Sequence, residues 1–194
     1  ESKPGKPESS GRVGESKSSR IKLPIAKQDI SLHGGIGCSY MYEWDYGFSI
    51  GLKYKYKPFD KYDIRLLGEI GTAFTSKKMF NSLSIIPIIA GINYEYRFTE
   101  STSIWTDLAL GLSIPLSERR QSWSDDYYSS FEPGFALSPE IGIRYNDFSF
   151  SFKSIYSLNG CSRKTYLEDG DRSIIHPKTF YNSHYFLFQL GYHF

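Results

Sequence analysis

S-H-Y-F-L-F-Q-L-G-Y-H-F, residues 183–194, is the stretch whose reading decides the fold. His184, Phe186, Phe188, Leu190, Tyr192 and Phe194 share one face of an extended strand. Tyr185, Leu187, Gln189, Gly191 and His193 share the other, because successive side chains of a strand point to opposite sides. One face is therefore aromatic or aliphatic apart from His184. At a frayed terminus in water it would invite edge pairing. A strand whose apolar face meets lipid, and whose two edges are paired in a closed barrel, is free of that hazard.

The same alternation runs back through the chain to Asp29. Ile30, Leu32, Ile36, Cys38 and Tyr40 oppose Ser31, His33 and Ser39; Tyr46, Phe48, Ile50, Leu52 and Tyr54 oppose Ser49, Lys53 and Lys55. Further on, Ile64, Leu66 and Ile70 oppose Arg65 and Glu69, and Ile88, Ile92 and Tyr94 oppose Asn93, Glu95 and Arg97. Leu108, Leu110 and Leu112 oppose Trp105, Asp107 and Ser113. Beyond a long loop at 115–134 the apolar positions become odd-numbered, with Ile141, Ile143 and Tyr145 against Glu140 and Arg144. Asn146-Asp147 reads as a two-residue hairpin turn. Phe148, Phe150, Phe152 and Tyr156 then oppose Ser149, Ser151, Lys153 and Ser157, and a second long loop at 159–182 returns to the closing strand. The pattern predicts eight strands.

Composition agrees with strands. The chain of 194 residues holds 16 tyrosines, 14 phenylalanines and 17 glycines, a bias toward pleated structure. No apolar run reaches the roughly 18 residues of a membrane helix. A net charge of +2 argues against a nucleic-acid partner held by a basic surface. Residues 1–28 are Ser-, Gly- and Pro-rich with seven Lys or Arg against three Glu, and read as a flexible basic tail; residues 29–194 form the folded unit. The start on Glu1 is read as a chain from which a signal peptide has been removed, an engineered boundary being the alternative. Cys38 and Cys161 have no metal-ligand spacing, and the expectation is two unpaired cysteines, with a disulfide as the alternative. No metal or other cofactor is expected.

Which face is inside separates a soluble sandwich or lipocalin-type barrel from a membrane barrel. The polar face combines Gly and Ser with charges of both signs: Arg65, Glu69, Glu95, Arg97, Asp107, Glu140, Arg144 and Lys153. Small residues with matched charges suit a narrow interior, whereas a water-facing sheet usually carries abundant Lys and Glu. The apolar face would overfill the inside of a small barrel. Tyrosines also gather at strand ends, Tyr54, Tyr94, Tyr145 and Tyr192 at one rim and Tyr40, Trp44 and Tyr46 at the other, as aromatic girdles do. The fold class is all-β: an eight-stranded antiparallel transmembrane up-and-down barrel with a disordered N-terminal tail.

On these strands and girdles, and on an ending L-G-Y-H-F, residues 29–194 resemble the small eight-stranded outer-membrane barrels of the OmpA, OmpX and OmpW type. The resemblance implies a bacterial outer-membrane location with the tail in the periplasm. It places the short turns near Pro58, Thr99 and Asn146 on that side and the loops near Asp45, Lys78, Ser124 and Asp169 outside. It also implies that Phe186, Phe188, Leu190, Tyr192 and Phe194 form a C-terminal signal read by the barrel-assembly machinery. Outer-membrane lipids including lipopolysaccharide are expected partners, and other envelope proteins could be met through the tail or the outer loops.

Three functions are weighed. The leading expectation is a non-enzymatic barrel with a structural or interaction role, a subunit or anchor of an envelope assembly. In the loop S-E-R-R-Q-S-W-S-D-D-Y-Y-S-S-F-E-P the residues Arg119, Arg120, Trp123, Tyr127, Tyr128 and Phe131 are of the types that dominate binding hot spots. The interior charges read as a plug of compensating pairs, or alternatively as a narrow ion channel. The last alternative is a lipid A-modifying enzyme, which resemblance would give a His, a Ser and an acid near the outer rim. His184 stands beside Ser183, but alternation sends their side chains to opposite faces, and no acid is placed by sequence next to any His and Ser pair. No catalytic residue is assigned.

Overall fold

The computed structural model describes residues 26–40, 44–59, 62–75, 84–116, 127–166, 173–175 and 177–194. Their strands are β1 (Gln28–Tyr40), β2 (Trp44–Tyr56), β3 (Ile64–Thr75), β4 (Ile85–Arg97), β5 (Thr102–Pro115), β6 (Tyr127–Tyr145), β7 (Phe148–Tyr166), β8 (Ser173–Ile175) and β9 (Thr179–His193). Each of β1 to β7 pairs antiparallel with the next, β7 pairs with β9, and β9 returns to β1. The ring is closed by Ser31↔His193 through Tyr40↔His184. Eight strands thus close the barrel, and β8 is a short addition that pairs with Lys164–Tyr166 of β7. Closure leaves the barrel wall no open edge.

One end carries the short turns together with the start of β1 and the end of β9, and is called here the turn end; the other is the loop end. Asn146 takes φ 53°, the left-handed conformation that Asn tolerates and a two-residue hairpin needs. The outward face holds even-numbered side chains on β1 to β5, β7 and β9 and odd-numbered ones on the barrel part of β6, as the alternation predicts. Ile36, Ile50, Leu66, Ile70, Leu110, Ile141, Phe150 and Leu190 are all exposed. Aromatic pairs cap this band: Tyr96 with Phe98 and Tyr192 with Phe194 at the turn end, Tyr40 with Trp44 at the loop end.

The two long loops expected at 115–134 and 159–182 are in part strand. β6 begins at Tyr127, β7 runs on to Tyr166, and β9 already starts at Thr179. Pairing shifts by one residue between Glu132↔Gly160 and Phe135↔Leu158, a bulge that contains Pro133 and Gly134. Pro has no N–H for the ladder, and followed by Gly it carries the sequence signal of a turn, which is why this strand reads as loop. The bulge also supplies the parity change. Only Gly134–Tyr145 of β6 pairs with β5, so the first turns of β6 run beyond the rim beside β7 as a ribbon. On it Lys178 and Ser162 both donate hydrogen bonds to Glu132. The Lys178 bond holds the Glu132 carboxyl below the ordinary carboxylate range, so the tie persists through that range and is lost as pH falls beneath it.

The interior is layered. Charged side chains fill the half nearer the turn end. Toward the loop end Ala73, Ile85, Ile155, Tyr185 and Leu187 pack together, and a second apolar group, Leu67, Ile89, Ala109 and Ala136, lines the wall of β3 to β6.

Candidate functional site: the charged lumen

Inward positions of neighbouring strands meet across a space just wide enough for side chains. Lys53 lies at the centre: its ammonium bonds Glu140, stands 3.3 Å from Asp107 and 3.8 Å from Glu69. Lys153 bonds Glu69 and lies 3.8 Å from Glu140, while Lys55 is 3.3 Å from Asp107. Three lysines face three carboxylates, all buried, so the cluster is neutral as a unit. Ser151 donates to Glu140 at 2.7 Å and Asn93 to Asp107, using remaining lone pairs. The Trp105 ring closes the group, 4.0 Å from Lys55 Nζ and 4.9 Å from Lys53 Nζ. Trp105 lies over Gly142, where a Cβ would come within 2.5 Å of the indole.

A second group occupies the turn end. Arg65 donates to Glu95 and, from Nε, to Asn93 at 2.9 Å. Ser103 donates to Glu95 at 2.7 Å, and Arg97 Nε lies 3.5 Å from the same carboxylate. Arg144 pairs with Asp29 at 3.1 Å. The eight charges expected inside therefore lie in these two groups, Arg97 and Arg144 at the mouth. Lys53, Lys55, Asp29 and Trp105 join them without having been singled out, although each occupies an inward position of its strand. Their parity was legible; their meeting requires the register.

The expected loop surface lies only partly within the described residues. Arg119, Arg120 and Trp123 lie outside them. Tyr127 and Tyr128 belong to β6, paired with Thr165 and Lys164. Phe131 is no loop residue: past the bulge it sits opposite Cys161, its ring edge-on to Tyr181 and packed on the interior cluster of Ala73, Ile85 and Tyr185. The final-strand residues Phe186, Phe188, Leu190, Tyr192 and Phe194 line the outside, with Phe188 stacked near Phe150 and Phe186 near Phe152. Cys38 is half-buried and Cys161 buried, and no disulfide joins them.

His184 sits outside between the rings of Tyr156 and Phe186, and Ser183 is buried inside. The sequence places no acid next to a His and Ser pair, and the fold brings one there elsewhere. Asp29 Oδ1 and Oδ2 lie 3.0 and 3.1 Å from His193 Nδ1, and His193 Nε2 lies 3.0 Å from Ser149 Oγ. The three come from β1, β9 and β7, so closure of the seam assembles them, and linear spacing gives no hint of it. Among the described residues no group is placed to hold a metal ion.

No family model matches the chain, and no curated protein does. Solved structures do. The crystal structure of Neisserial surface protein A is matched over 86% of this chain and 97% of that one, at 11% identity and a TM-score of 0.56. OprG of Pseudomonas aeruginosa is matched over 86% and 95% at 14% identity and a TM-score of 0.48. AlkL, determined by solid-state NMR in lipid bilayers, is matched over 100% and 97% at 12% identity and a TM-score of 0.49. With the likeness to Neisserial surface protein A added to the closed register and the exposed apolar band, the fold is that of the small outer-membrane proteins, an eight-stranded antiparallel transmembrane β-barrel.

Proposed function

We propose that the chain sits in a bacterial outer membrane with its turn end and basic tail at the periplasm, and works by contact through its exterior rather than by passage through its lumen. The filled lumen carries this reading. A neutral lattice of three lysines and three carboxylates is backed by a layer of Ile, Leu, Tyr and Ala, so an ion meets paired charges and then apolar side chains. Among the described residues the lipid-facing band and the ribbon of β6 and β7 beyond the rim are left to meet other molecules, and the sequence adds the tail. Outer-membrane lipids including lipopolysaccharide suit the first. The second and third suit a partner in an envelope assembly, for which this barrel is an anchor. The barrel-assembly machinery is the proposed reader of the closing strand.

Reconstituted in planar bilayers, the barrel is expected to give no discrete conductance steps; resolved steps that change on Glu140→Gln would replace this reading with the channel. A lipid A-modifying role at the outer rim is expected to fail as well. His184→Ala should leave the lipid A profile of whole cells unaltered by mass spectrometry, because His184 is held among outward rings away from Ser183. Loss of a modified species in that variant would restore the enzyme reading.

A further inference from the structure

Asp29, His193 and Ser149 repeat the order acid, imidazole, hydroxyl at 3.0 to 3.1 Å per link, all three buried. That geometry fixes the His193 tautomer: with Nδ1–H given to Asp29, Nε2 is left to accept from Ser149. Arg144 and Arg65 flank the same Asp29 carboxylate at 3.1 and 3.7 Å, so its charge is paired. A fourth group completes the set. His33 Nε2 lies 2.7 Å from Ser31 Oγ, whereas its Nδ1 is buried without a partner. In the tautomer the site would use, Ser31 donates to Nε2 and the His33 ring proton sits on that orphan Nδ1. A Cβ built on Gly191 would lie 2.4 Å from Ser149 Oγ and 2.7 Å from His33 Nδ1, so the bare glycine is what lets hydroxyl and imidazole share one space.

We propose that Ser149, His193 and Asp29 form a nucleophilic centre that cleaves short-chain acyl esters of polar alcohols, entered from the turn end. The site is independent of the contact role proposed above. An open recess of about 410 Å³ at the turn end is lined by Arg144, the cross-strand neighbour of Ser149, with Glu95, Arg97, Ser103 and Asp147. Asp29, His193 and Ser149 are buried and do not line it themselves, so substrate entry requires the Arg144 side chain at the mouth to move aside. That lining is polar throughout, which suits the alcohol side of the ester. The acyl side must be short, because Trp105 and the lysine cluster fill the lumen beyond.

In the reaction Ser149 Oγ bonds to the carbonyl carbon as its proton passes to His193 Nε2, and the carbonyl electron pair moves to oxygen opposite the His33 Nδ1–H. Collapse breaks the ester C–O bond, and the alcohol leaves with the proton from His193. Water then repeats the sequence on the acyl-serine, releasing the carboxylic acid and regenerating Ser149.

The test uses the full chain folded in vesicles, its folding checked by heat-modifiable gel mobility. A fluorophosphonate probe is expected to label the wild type, with the adduct mapped to Ser149 by peptide mass spectrometry. Hydrolysis of p-nitrophenyl acetate should fall on the order of 10³-fold or more in Ser149→Ala and His193→Gln. Gly191→Ala should also abolish labelling by displacing both ring and hydroxyl. An unlabelled wild type, an adduct at another residue, or hydrolysis unchanged in Ser149→Ala would each overturn the proposal. The mapped adduct on the wild type reads the site even if a variant does not fold.

Discussion

Lys53→Met is expected to lower the unfolding free energy of the barrel by about 3–5 kcal/mol, the cost of leaving a buried charge without its partner. Its ammonium is shared by Glu69, Asp107 and Glu140, so one truncation unbalances all three. Lys153 still reaches Glu69 and Glu140, and Lys55 still reaches Asp107, but neither stands where Lys53 stood. Lys55→Met should cost less, because Lys55 serves one carboxylate and one ring. Restoring neutrality is the sharper test. Lys53→Met with Glu140→Leu should recover more than half of the loss, since a buried ion pair and a well-packed apolar pair are often of similar stability. Equilibrium urea unfolding from lipid vesicles, followed by tryptophan fluorescence, reads all three. A loss below about 1 kcal/mol for Lys53→Met would mean that water reaches the cluster, and with it the sealed lumen would fall.

The same lattice shows how far sequence reading carries. Alternation alone places Arg65, Glu69, Glu95, Asp107, Glu140 and Lys153 inward, because a strand leaves only two faces and lipid claims one. It cannot say which of them touch. Lys53 meets Glu140 across a sequence separation of 87 and Lys153 meets Glu69 across 84, distances set by the stagger of the closed ring. The Ser149, His193 and Asp29 arrangement is hidden for that reason, since His193 and Asp29 lie at opposite ends of the chain and meet only when β9 pairs with β1. The misread loop has a different cause. Pro133-Gly134 reads as a break, and in isolation a Pro-Gly pair does mark a turn. Here β7 continues alongside and the bulge absorbs one residue, so the ladder resumes with Phe131 turned inward. Local chemistry reported the disturbance correctly, and only the partner strand decided whether the disturbance ended the strand or bent it.

Leu110→Arg should cost about 2–4 kcal/mol in a bilayer, and Tyr145→Arg only about 0–1. Both side chains point outward and are similarly exposed, 57% and 62%. They differ in depth. Leu110 lies mid-strand on β5, between Ala90 of β4 and Leu137 of β6, at the height of the aliphatic band. Tyr145 ends β6 beside the Asn146 turn, where an arginine reaches headgroups and water. A soluble barrel of the same shape would predict otherwise. An exposed leucine in water exchanges for arginine at little cost, typically within about 0.5 kcal/mol, and rim and mid-strand would behave alike. The contrast between the two variants, measured by reversible unfolding from vesicles, therefore reports which solvent the outer face meets. Equal costs would remove the bilayer from the account of the fold, and would leave the exposed band of Phe, Leu and Ile without a solvent to explain it, although such a band exists to match the hydrocarbon layer.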